Sequence, residues 1–222
     1  MPINDLAPSN LPRCNALLAS FLTASYCCIA FSVSALDDSA LRTALEKDGL
    51  IRLQRIRTGL RGGQITLTEL TDRAYGLLAS YKVAAKRPAG RGGFEHGFWQ
   101  HTAHAWAERK GYGTKIEEEV SGKAVDVGVT TDSQRIAVEV MMEGLDKELT
   151  NVAKDLEAGW DRVWLCAVKE EALERLRAKI LDVFGSELLE NGRVRFLRLS
   201  EFLEKGKGSS ELNAQGPGSE MK

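Results

Sequence analysis

KAVDVGVTTDSQRIAVEVMMEGLDKELTNVAK, residues Lys123 to Lys154, is the stretch from which the fold is read. Ala124–Thr130 and Arg135–Met142 are rich in β-branched residues and flank Asp132-Ser133, which favour a turn. They predict two antiparallel strands joined by a tight connection. Behind them, Leu145, Leu149, Val152 and Leu156 recur at helical spacing over residues 145–158, which predicts an amphipathic helix. Two acids interrupt the apolar strands, Asp126 in the first and Glu139 in the second. A carboxylate within a Val/Ile-rich strand is costly to bury unless it has a partner, a metal or an edge position. On a hairpin two such acids can share a face and converge on one hard cation.

Working outward, Asp161–Val168 (DRVWLCAV) predicts a buried strand, and Glu170–Leu188 a long charged amphipathic helix. Arg193–Leu199 predicts a last strand, and Ser200–Glu204 a short terminal helix. On the other side, Lys115–Val120 (KIEEEV) predicts a strand in which Glu118 points away from Glu117 and Glu119. Phe94–Lys110 predicts a helix with Phe94, Phe98, Ala105 and Trp106 as its apolar stripe. It carries all three histidines of the chain, His96, His101 and His104. His101 and His104 with Glu108 have a spacing open to Zn²⁺. One helix without a second ligating segment is a weak metal signal, so buttressing of the sheet by Glu95 and His96 is the better expectation.

The pattern VDV…IAVEV, with Asp126 and then Glu139 after a short hairpin, resembles the PD-(D/E)xK nuclease fold, the restriction-endonuclease-like superfamily. The resemblance covers roughly residues 92–203. It implies an α/β core with a central mixed sheet flanked by helices, and Mg²⁺ (or Mn²⁺) held by Asp126 and Glu139. It also implies hydrolysis of a DNA phosphodiester. The family places a lysine two residues after the Glu, where this chain has Met141. Asn151-x-x-Lys154 on the next helix is similar to a branch in which the lysine has moved there, found beside HerA-like and conjugative DNA-processing ATPases. By that resemblance Lys154 and Asn151 join the catalytic set. Glu95 is an additional metal ligand, because the preceding helix often carries an acid near the metal. DNA and a separate ATPase are the implied partners, and a homodimer is an allowed assembly.

Residues 37–80 resemble the second half of a winged helix-turn-helix. Ala40–Lys47 predicts a helix closed by Asp48-Gly49. LIRLQRIRTG and QITLTEL predict two strands around the turn Leu60–Gly63, and Leu70–Leu78 a closing helix. Ten Lys or Arg face four Asp or Glu over residues 42–87. That local excess matters because the whole chain of 222 residues carries a net charge of only −1. Arg42 on the expected recognition helix, and Arg55, Arg57 and Arg61 along the wing, are the candidate DNA contacts. A basic face used for packing on the neighbouring domain is the alternative.

The expected organisation is a winged helix over residues 1–81, a basic Gly/Pro linker over 82–93, an α/β core over 94–204 and a disordered tail over 205–222. Residues 14–36 carry no charge and admit a signal-peptide reading, with Val33-Ser34-Ala35 as the cleavage site. Cleavage there would remove the first two helices of the winged helix, so a cytoplasmic protein without a membrane span is the expectation. Cys14, Cys27, Cys28 and Cys166 lack framework or CxxC spacing, in keeping with reduced thiols. Two rivals to the nuclease remain. One is an inactive nuclease fold that binds DNA or an ATPase, for which Met141 argues. The other is a winged-helix transcriptional regulator.

Overall fold

The computed structural model describes residues 39–60, 63–82, 87, 90, 92–142 and 145–203. The expected first helices of the winged helix, the signal-like segment, Arg61 and the tail lie outside the described residues. The described chain forms α1 (Ser39–Lys47), β1 (Ile51–Arg57), β2 (Gln64–Leu70) and α2 (Asp72–Ser80). It continues with α3 (Phe94–Arg109), β3 (Gly113–Val120), β4 (Lys123–Thr130), β5 (Arg135–Met141) and α4 (Leu145–Glu157). Then come β6 (Arg162–Ala167), α5 (Glu170–Phe184), the short α6 (Glu187–Glu190), β7 (Val194–Arg198) and a 3₁₀ turn, Leu199–Leu203.

Strands β3 to β7 make one mixed sheet in sequence order, with helices on both faces, an α/β architecture. β3, β4 and β5 are antiparallel, and β5, β6 and β7 are parallel. The parallel pairs need crossovers, which α4 and α5 supply. β5 is central and buried on both sides from Ile136 to Met141, which accounts for its nearly unbroken apolar sequence. One face packs Val127, Val129, Ile136, Val138 and Trp164 against Phe98, Trp99 and Ala103 of α3. The opposite face packs Ala137, Met141, Val163 and Leu165 against Val152 of α4 and Leu173, Leu176 and Ile180 of α5.

The expected long helix after residue 170 ends at Phe184. Gly185, with φ +75°, closes it, and α6 starts afresh. Glycine adopts that left-handed conformation without the clash a side chain meets. Leu70 belongs to β2 rather than to the following helix, which is capped by Thr71 accepting from the Ala74 N–H. On α3 the expected stripe residues Phe94, Phe98 and Trp106 face the core, joined by Trp99, Ala103 and Ala107, whereas Ala105 is only half-buried.

The β1–β2 hairpin is apolar on both sides. Ile51, Leu53 and Leu70 pack with Leu45 and Ala74 from α1 and α2. Ile56, Ile65 and Leu67 belong to the cluster that includes Phe98, Trp99 and Trp164. The ribbon therefore joins the N-terminal helices to the α/β unit through one continuous hydrophobic contact. Leu67 is wholly buried there. All four tryptophans lie in the α/β unit, so their fluorescence reports on it alone. Leu67→Ala is expected to cost about 2–5 kcal/mol and to lower the tryptophan-detected unfolding midpoint in urea. An unmoved tryptophan transition would mean that the hairpin unfolds separately.

Candidate functional site

The β4–β5 ladder runs from Thr130↔Arg135 to Val127↔Val138. The next position in that register sets Asp126 against Glu139. There the pairing stops, and the Asp126 Oδ2 accepts the Val140 N–H at 2.7 Å, so a side chain satisfies an amide the ladder leaves open. The side-chain alternation of β4 also breaks here. Val127 and Val129 pack on the α3 side, whereas Val125 packs with the α4 and α5 cluster. On the neighbouring strand, Glu117 stands opposite Asp126 in register, makes no bridge to it, and has φ +50°. Such a conformation is uncommon for a residue with a side chain. The irregularity turns Asp126 toward α3. His96 Nε2 lies 3.1 Å from Asp126 Oδ2, and Gln100 Nε2 donates to Oδ1 at 3.1 Å. His96 and Gln100 are one helical turn apart and so address the same carboxylate.

Glu139 is met by α4. Asn151 Nδ2 donates to Glu139 Oε2 at 3.3 Å and to Glu148 Oε2 at 3.1 Å. Lys154 Nζ lies 3.6 Å from Glu139 Oε1 and 3.3 Å from Asp155 Oδ1, and it donates to the Ala124 carbonyl at 2.8 Å. Residues 151, 154 and 155 fall on one side of a helix, which accounts for their convergence. Glu139 is 4% exposed and Asp155 is wholly buried. Glu139 Oε1 has no hydrogen-bond donor among the described residues.

Burial pushes the Glu139 carboxyl well above the usual carboxylate range. The Asp126 and Asp155 carboxylates push the same way, and Lys154 pulls it back. Burial likewise raises Asp155, and the Lys154 ammonium 3.3 Å away opposes it. Burial raises Glu148 too, opposed by donation from Asn151.

Of the sequence-derived candidates, Glu139, Asn151 and Lys154 meet in direct contact, and the Asp126 carboxylate lies near enough to act on Glu139 electrostatically. Glu95 sits beside His96 on α3, its carboxyl raised by partial burial, and it is His96 and Gln100 that reach Asp126. Arg42 is half-buried on α1, Arg55 and Arg57 are exposed on β1, and Arg61 lies outside the described residues. His104 pairs with Glu108 on its own helix at 3.5 Å, away from this site. Among the described residues, no group of three or more His, Cys, Asp or Glu is arranged to hold a metal ion. The same residues contain no helix long and apolar enough to cross a membrane. Cys166 is a buried free thiol on β6, and the other three cysteines lie outside the described residues. Gln100, Glu148 and Asp155 were missed from sequence. Single polar residues on amphipathic helices carry no signal until the helix is docked.

No family model matches the chain, and no curated protein matches it in sequence.

A carboxyl raised on folding confers stability below its unfolded value, here 4.5 for glutamate, and loses it as pH climbs through the folded value. Glu139→Gln removes the buried charge. Relative to wild type, this variant is expected to gain stability as pH rises above about 5, by ~1.4 kcal/mol per pH unit of displacement. Urea unfolding at pH 5 and pH 8 measures this, and a difference that does not change with pH would contradict the elevated carboxyl.

Proposed function

We propose that this protein is a divalent-cation-dependent DNA phosphodiester hydrolase of the PD-(D/E)xK type, with its lysine on the helix after the acidic hairpin. The observation that carries this reading is the approach of Lys154 Nζ to 3.6 Å from Glu139 Oε1. Met141, two residues after Glu139 on the same strand face, is apolar and buried, so the positive charge comes from α4. The order of helix, three antiparallel strands, helix and parallel strand supports the reading, because it sets the two acids on adjacent strands and the lysine on the helix that follows.

The donor set fits Mg²⁺ or Mn²⁺. Asp126 and Glu139 are hard oxygen donors from adjacent strands, and Glu139 Oε1 is buried without a hydrogen-bond donor. Two carboxylates suffice for Mg²⁺, which keeps several waters and takes phosphate oxygens into its shell. When bound, the ion supplies Lewis acidity at a phosphoryl oxygen and lowers the pKa of a bound water. Lys154 provides a fixed positive charge for the developing oxyanion, in a site where water screens little. Asn151, donating to Glu139 Oε2, orients that carboxylate with Oε1 left toward the lysine. The exposed Arg55 and Arg57 suit phosphate contacts, which hold DNA without selecting its sequence. In that role the protein acts in the cytoplasm beside a HerA-like or conjugative ATPase carried on a separate chain.

Buried Met141 also favours a second reading, an inactive nuclease fold that binds DNA or the ATPase. The two part in a cleavage assay on labelled single-stranded, duplex and branched DNA with Mg²⁺ or Mn²⁺. Metal-dependent cleavage is expected in the wild type, falling about 100-fold or more in Asp126→Ala, Glu139→Ala and Lys154→Ala. Absence of cleavage, with DNA binding retained in all four proteins, would sink the hydrolase. Separately, Arg55→Ala with Arg57→Ala is expected to reduce the log–log salt slope of DNA binding by about 2.

A further inference from the structure

Asp126 is held from one side by the Val140 N–H and from the other by α3. Gln100 turns its NH₂ to Asp126 Oδ1, which leaves its carbonyl pointing away. Gln100 is wholly buried, and that Oε1 finds no hydrogen-bond donor among the described residues. It faces Gly90, in the stretch that joins the N-terminal helices to α3. A Cβ at Gly90 would lie 2.5 Å from Gln100 Oε1, and one at Gly92 would lie 2.9 Å from His96 Nδ1. Both glycines have φ values in the left-handed half of the map, +121° and +104°. A side chain at either position would therefore be strained in its backbone and would press on an Asp126-binding side chain. Three residues before Gly90, Arg87 pairs with Asp72 at 2.6 Å and stacks over Tyr75.

We infer that Gln100 and His96 are positioning residues that lock Asp126 for cation binding, and that the close backbone at Gly90 and Gly92 holds this pair in place. This rests on the cation reading above. A ligating carboxylate left free to rotate must be ordered when the ion arrives, whereas one fixed by two donors is ordered beforehand. Gly90 and Gly92, just before α3, are then part of the site's scaffold.

The test is Mn²⁺ titration of the full-length protein, with free ion read by electron paramagnetic resonance and folding checked by thermal unfolding. Gln100→Met keeps the bulk and removes the donor. It is expected to weaken Mn²⁺ binding about 10–100-fold, as is Gly90→Ala, which leaves the donor but crowds it. His96→Gln retains a nitrogen donor and is expected to stay near wild type, whereas His96→Leu is expected to weaken binding. Gly93→Ser is the control, since a Cβ there meets nothing within 4 Å. Wild-type affinity in both Gln100→Met and Gly90→Ala would overturn the inference and leave the cation reading standing. Equal weakening by Gly93→Ser and Gly90→Ala would overturn the role of the close backbone. Should Gln100→Met fail to fold, Gly90→Ala and the His96 pair decide. No Mn²⁺ binding by wild type would overturn both the inference and the cation reading.

Discussion

A carboxylate on the central strand of a sheet covered on both faces has few places to put its charge. Glu139 is such a group, flanked by Val138 and Val140 and nearly closed to water. Water would have solvated it, so the protein must. The Lys154 ammonium and the Asn151 amide take that part, both from α4. The docking of α4 is thus tied to a charge as well as to Val152, Leu149 and Leu156. The pair is only partly balanced, since Asp155 adds a second buried carboxyl to the same lysine. One ammonium between two buried acids leaves excess negative charge. That excess adds to burial, the larger cause, in holding the Glu139 carboxyl well above its usual range.

The second constraint is the break in β4. A regular strand would put Val125 and Val127 on one face. Their separation onto opposite faces, and the left-handed Glu117 across from Asp126, mark a local twist in the β3–β4 ribbon. Its result is that two acids facing each other in register are served by different helices, Asp126 by α3 and Glu139 by α4. Strain of this kind is tolerated where the surroundings over-determine it. Here the three donors converging on Asp126 do so.

The hairpin of the N-terminal part adds a further connection. Both its faces are apolar, so it is a shared layer between two groups of elements rather than a free wing. Arg55 and Arg57 remain exposed on its rim. Gly90 and Gly92 lie against α3 beside the site. The N-terminal part packs on the α/β unit at Ile56 and Leu67, and Gly90 and Gly92 lie close to the side chains that hold Asp126.

Local chemistry in the sequence determined most of the elements. Period-two β-branched runs placed the strands, Gly and Asp-Ser placed the turns, and amphipathic spacing placed α4 and α5. The acids Asp126 and Glu139 stood out because a charge in such a run is energetically conspicuous. Asn151 and Lys154 were picked out by a motif rather than by composition, and a lysine on a helix surface is otherwise unremarkable. Only the tertiary structure decided that Lys154 turns inward, because that depends on where α4 crosses β5. It alone brought in Gln100, whose partner Asp126 lies 26 residues away, and Asp155 and Glu148, which α4 turns toward Lys154 and Asn151 beside Glu139. The two-sided burial of the hairpin was likewise closed to sequence. Alternation tells which residues share a face, but only the packing partner tells whether both faces are covered.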